Sequence, residues 1–162
     1  MVGKQADYLA SWMREAGLES AVVVGHDLGG GIAQTLAVRH PGLVRGLVLT
    51  NVISHDSWPI PQVKPLRAAA PLVERLPEEV FRFVYRSFMF QGHENRRQAN
   101  EAVAEHFPYY EAADGVAAFI RQMRSLNVRD TLAVADRIPD ITVPARIVWG
   151  AAAVNALLEQ AA

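Results

Sequence analysis

The stretch Gly25-His26-Asp27-Leu28-Gly29-Gly30 constrains this chain more than any other. An apolar run, Ala21 to Val24, leads into it, and a helical pattern leads out. The run is short and β-branched, as in a strand buried on both faces. The pattern that follows, from about Gly29 to Arg39, turns Ile32, Ala33, Leu36 and Ala37 inward. A carboxylate thus occupies a glycine-bounded corner between strand and helix. With G-x-Asp-x-G spacing the central residue is forced into a sharp backbone geometry where only small neighbours avoid clashes, so Gly25 and Gly29 fit. Its side chain is pushed out above the sheet at the positive end of the next helix, which stabilises an ionised Asp27. Such a carboxylate, presented to a pocket, can attack carbon and form an ester. Asp is also a preferred helix N-cap, and from the residues alone both uses stay open. Phosphate-binding loops fit poorly. The dinucleotide loop needs G-x-G-x-x-G, and a P-loop needs Lys followed by Ser or Thr.

The surrounding pattern is that of a parallel α/β chain. Leu9, Trp12, Met13 and Ala16 fall at i, i+3, i+4 and i+7, which predicts a helix with one buried face, stopped by Gly17. His40-Pro41-Gly42 ends the second helix, and Leu47 to Leu49 forms a second buried strand. Strand, helix and strand in so short a span imply a right-handed parallel crossover. Pro59, Pro61 and Pro65 then punctuate a linker. From about Leu66 to Ala135 the patterns are helical. Val80, Phe81, Val84, Tyr85 and Phe88 mark one helix, and Val116, Phe119, Ile120 and Met123 another, with Asp114 as its cap. Ala145 to Trp149 returns to strand character. The expected organisation is a core segment over 1–58 with the Asp27 corner, a helical block over 59–137, and a return to the core over 138–162.

Composition narrows the function. The 162 residues suit one domain, and a formal net charge of −1 argues against a nucleic-acid or anionic-membrane partner. No cysteine is present, which excludes disulfides, thiolate chemistry and Cys-based metal sites. The histidines show no metal spacing, so neither metal nor cofactor is expected. The N-terminal residues lack the pattern of a secretory signal, and no apolar run suits a membrane span, so a cytoplasmic setting is the default.

These residues resemble the α/β-hydrolase fold. Val22 to Gly30 is similar to its nucleophile strand and elbow, and His40 to Leu49 to the helix end and strand that follow. The helical block resembles the cap inserted over the active site, and Pro144 to Gly150 the strand that leads to the catalytic acid. An Asp nucleophile points to the branch of haloalkane and haloacid dehalogenases and epoxide hydrolases. There the carboxylate attacks carbon, a halide or alkoxide leaves, and a His-activated water hydrolyses the alkyl-enzyme ester while an acid orients the His. The resemblance implies Asp27 as nucleophile, the Leu28 N–H as one oxyanion donor, and a small-molecule substrate without cofactor or metal. Dehalogenases usually place Trp after the nucleophile, where this chain has Leu28. Epoxide opening would use phenols from the cap, for which Tyr85, Tyr109 and Tyr110 are available. Asn51 matches the place where some relatives carry the acid and others an Asn.

The pattern departs from the family at its ends. The acid position after the third strand is Ala153, and the catalytic His of the family lies beyond the next strand. His26 neighbours the nucleophile on a strand and so points to the opposite face. His40 belongs to a helix end, and His55, His93 and His106 to loops or the cap. The chain reads as the middle of a hydrolase cut at both ends, with little or no turnover expected. Ala21 to Val24 would then be an apolar edge open to self-association. A non-catalytic interaction module, or a gene fragment with no function of its own, is the alternative reading.

Overall fold

A computed structural model describes residues 1–58, 64, 68–73, 77–93, 95–111 and 114–151. The chain divides into two compact units, Met1–Trp58 with Asn127–Ala162, and Pro59–Leu126. The first unit holds a three-stranded parallel sheet of order β1-β2-β3, formed by β1 (Ala21–Asp27), β2 (Val44–Val52) and β3 (Ala145–Val148). Helices α1 (Val2–Glu15) and α2 (Leu28–Arg39) pack on each other, and α2 lies against β1 and β2.

The apolar core lies between these helices and the sheet. Ala6, Ala10 and Met13 of α1 meet Ala33, Leu36 and Ala37 of α2, over Leu47 and Leu49 of β2. The buried face of α1 therefore runs through Val2, Ala6, Ala10 and Met13, not through Trp12, which is 57% exposed. Small residues on α1 let the two helices approach, and the large indole lies on the outer side. The inward residues predicted for α2 are buried except Ile32, which is half-buried.

β1 is not buried on both faces. Val22 and Val24 are 50% and 69% exposed, while Val23 and Gly25 turn toward the helices. An all-valine run hides this alternation, because valine satisfies either face of a pleated strand. β1 lies at one end of the sheet order, with no second strand beside it among the described residues.

The second unit is helical. Its helices are α3 (Ala70–Val73), α4 (Glu78–Gln91), α5 (Arg96–His106) and α6 (Gly115–Ser125). Its core is aromatic, with Phe81 edge-on to Phe119 at 5.3 Å between ring centres and Tyr85 at 5.5 Å from Phe107. Such pairs add to the gain from burial alone. Val80 and Phe83 of α4 are exposed, so Phe81 and Tyr85 carry the buried face. Asp114 stands at the N-cap of α6 without capping it, and its carboxylate pairs with Arg121 at 3.5 Å. Asn95 is the side chain that caps, accepting the Arg97 N–H at the start of α5.

A further helix, α7 (Arg129–Ala135), falls in the sheet unit and packs on α1 and α2. Asp130 on it accepts from the backbone N–H of Val2 and pairs with the N-terminal ammonium at 2.7 Å. Thr131 accepts from Trp58 Nε1 at 2.7 Å. Among the described residues no helix is long and apolar enough to cross a membrane.

Candidate active site

The corner is built by close approach between the start of α2 and the ends of β1 and β2. A Cβ on Gly25 would lie 2.7 Å from the Gly29 carbonyl oxygen and from Gly30 Cα. One on Gly30 would lie 2.0 Å from Val52 Cγ1. Gly25 and Gly30 are thus required by packing. Gly29, expected from the motif spacing to relieve the corner, faces open space and would accept a Cβ.

Asp27 carries the bend. Its φ of 48° and ψ of −118° lie outside the ordinary regions for a residue with a side chain. Such a conformation costs of order 1–3 kcal/mol and persists only where surrounding contacts impose it. Here they are the glycine contacts and a backbone bond in which Ile53 N–H donates to the Asp27 carbonyl at 3.2 Å. The ladder shifts register at the same point, pairing His26 with Thr50 but Asp27 with Val52. The skipped residue, Asn51, bulges at φ 44°.

The Asp27 side chain is exposed and makes no capping hydrogen bond to α2. It has no ion pair among the described residues. Leu28 is the first residue of α2, so its N–H has no partner within the helix. Carboxylate and N–H therefore stand together at the helix start, where the dipole favours negative charge.

The other residues named from sequence are placed as follows. Asn51 accepts the Gly150 N–H at 2.9 Å through Oδ1 and so ties the end of β2 to the turn after β3. Tyr85 lies in the aromatic core of the helical unit, where burial and, secondarily, Tyr110 raise its phenol above the ordinary range. Tyr110 packs on Tyr85 at 5.3 Å, and Tyr109 is 78% exposed. Ala153, expected from the resemblance at the acid position, lies outside the described residues. His26 is exposed, and His40 bonds Asp7. Among the described residues no group of three His, Cys, Asp or Glu side chains could hold a metal.

Sequence reasoning missed one cluster. Gln34, buried on α2, donates to the carbonyls of Gly30 and Ile53 at 3.1 and 3.0 Å and accepts from Ser54 Oγ at 2.8 Å. Ser54 also contacts His55 Nδ1 at 2.9 Å. The signal was a lone amide at an inward position of an apolar helix, a group that burial obliges to find partners.

The family model for the alpha/beta hydrolase fold matches residues 2–150. This chain belongs to the α/β-hydrolase fold family. The hydrolase-fold chain is 40% identical over 52 residues, 32% of its length, to the dihydrolipoyllysine-residue acetyltransferase component of an acetoin cleaving system from Cupriavidus necator, and covers 14% of that protein. An alpha/beta hydrolase fold protein from Burkholderia ambifaria superposes over 92% of the chain at a TM-score of 0.77 and 19% identity. The epoxide hydrolase CorEH superposes over 93% at 0.61 and 18% identity. At these identities the two structures speak for the fold. The chain spans 55% and 58% of their lengths.

Proposed function

We propose that this chain carries the nucleophile of an α/β-hydrolase, and that Asp27 attacks the carbon of a haloalkane, haloacid or epoxide. One carboxylate oxygen of Asp27 forms a bond to the electrophilic carbon while the carbon–halogen bond, or one carbon–oxygen bond of the epoxide, breaks. The electron pair leaves on the halide or on an alkoxide that takes a proton from solvent. The product is an ester on Asp27. The Leu28 N–H at the start of α2 is the donor for the oxyanion that forms when water attacks the ester carbonyl.

The observation that carries this reading is the Asp27 backbone at φ 48°, ψ −118°, joined to a side chain that caps nothing. A residue that only started the helix would bond the N–H groups of its first turn and would not need left-handed backbone. Turnover would end at the ester, because the position that orients the water-activating His in the family is Ala153 here.

The experiment is incubation with 1-bromobutane or 1,2-epoxybutane followed by intact-mass analysis. One adduct per chain is expected, lost in Asp27→Asn. No adduct, or one that survives the substitution, contradicts the proposal. The second reading, an interaction module, is favoured by the β1 edge, which has no neighbouring strand among the described residues and exposes Val22 and Val24.

A further inference from the structure

A hollow of about 410 Å³ opens on the helix side of the sheet, within the sheet unit, and Asp27 does not line it. Its walls are apolar. Leu47 and Leu49 of β2 and Ala145 and Ile147 of β3 form one wall, with Ile141 and Trp149 beside them. Gln34, Ser54, His55 and Ser57 give it one polar end, and among the described residues no Lys, Arg, Asp or Glu side chain lines it. Volume and lining suit a small-molecule site, which is typically ~300–1,000 Å³ and apolar with a few placed polar groups.

The polar end is joined by hydrogen bonds. The Gln34 amide nitrogen faces two carbonyl acceptors, Gly30 O at 3.1 Å and Ile53 O at 3.0 Å, so its oxygen is the atom that faces Ser54. The Ser54 hydroxyl proton therefore goes to Gln34 Oε1 at 2.8 Å. That leaves a Ser54 lone pair toward His55 Nδ1 at 2.9 Å, so Nδ1 is the donor there and Nε2 is the acceptor of the neutral ring. Ser57 is occupied, donating to the Ser54 carbonyl at 2.7 Å and accepting the Ser54 N–H at 3.0 Å. His55 is itself held at φ 50°, its carbonyl bonded by Thr131 Oγ1 at 2.5 Å, and Thr131 is anchored by Trp58. Among the described residues nothing bonds His55 Nε2.

The site thus offers apolar walls and, at its polar end, the His55 Nε2 acceptor. An anion would find no Lys or Arg among the described lining residues to offset its desolvation. We propose that the hollow binds a small apolar alcohol, its chain against Leu47, Leu49 and Ile147 and its hydroxyl donating to His55 Nε2. The proposal is independent of the chemistry assigned to Asp27.

The test is isothermal titration of the whole chain with 1-hexanol and with hexyl methyl ether, which keeps the chain but cannot donate. Saturable 1:1 binding of hexanol is expected, about tenfold tighter than the ether. In His55→Phe the two ligands should bind alike. Ala145→Phe, which fills the hollow from an exposed strand position, should weaken both by about tenfold, with its circular dichroism unchanged. If Ala145→Phe fails to fold, the alcohol–ether comparison in the unmodified chain and in His55→Phe decides. Absence of saturation with hexanol, equal affinity for the ether in the unmodified chain, or an alcohol preference that survives His55→Phe overturns the proposal. So does unchanged affinity in a folded Ala145→Phe.

Discussion

Gly30 and Val52 are packed so closely that a methyl group on the glycine would sit 2.0 Å from Val52 Cγ1. This contact brings the start of α2 onto the end of β2. Gly30→Ala would force α2 off the sheet or rotate Val52, at a cost of about 1–3 kcal/mol for overpacking. Gly29→Ala, with nothing within 4 Å of the new carbon, should leave stability within ~0.5 kcal/mol. Urea unfolding of the two variants checks the contrast. Equal losses would show that the corner is not closed by Gly30.

Strain at Asp27 has its own signature. Asp27→Gly relieves a positive φ that an L-residue holds at a cost, so it should raise stability by about 1 kcal/mol after the added freedom of the unfolded chain is counted. Asp27→Val should lower it. A destabilised glycine variant, measured by thermal melting, would mean that the carboxylate supports the fold.

On α1, Asp7 faces His40 Nε2 at 3.1 Å and Arg39 Nη1 at 3.2 Å. The His40 hydrogen bond, opposed by partial burial and aided by the Arg39 charge, holds the Asp7 carboxyl below its usual range. A folded value below the unfolded one means stability that is present above the unfolded value and lost as pH falls through the folded one. The difference in melting temperature between the native chain and Asp7→Asn should be present near pH 6 and shrink below about pH 4. It should be small and salt-sensitive, because the pair is at the surface. A difference that grows in acid contradicts the assignment.

The β1 edge predicts association. Val22 and Val24 project from a strand that has no neighbour on one side among the described residues and no Lys, Arg, Asp or Glu before Asp27. The chain should run above its 17.8 kDa monomer mass in light scattering. Val24→Lys, placed where the side chain is 69% exposed, should shift it toward monomer without a change in the melt. A monodisperse monomer of the native chain contradicts this.

What the sequence disclosed was local. The Asp27 corner, the crossover from β1 through α2 to β2, and the return to strand at Ala145 follow from spacing within short windows. Two errors had one cause, the reading of apolar residues without their neighbours. Trp12 fits a helical stripe and so reads as inward, yet the alanines of α1 make the contact. Val22 and Val24 read as core residues because valine is at home on either strand face. The Gln34–Ser54–His55 relay joins residues 20 positions apart, from Gln34 to Ser54, across a helix and a loop, and no periodicity reports it. The requirement at Gly30 rather than Gly29 depends on Val52, a residue of the next strand.

The central claim is that the bend makes one carboxylate reactive among several. Trypsin releases Glu15 to Arg39 as one peptide, which holds Asp27 together with Glu15 and Glu19 as internal controls. After exposure to 1,2-epoxybutane, fragmentation of that peptide should place the added mass on Asp27 and leave Glu15 and Glu19 unmodified. Label spread over the three carboxylates, or absent from Asp27, would contradict the account.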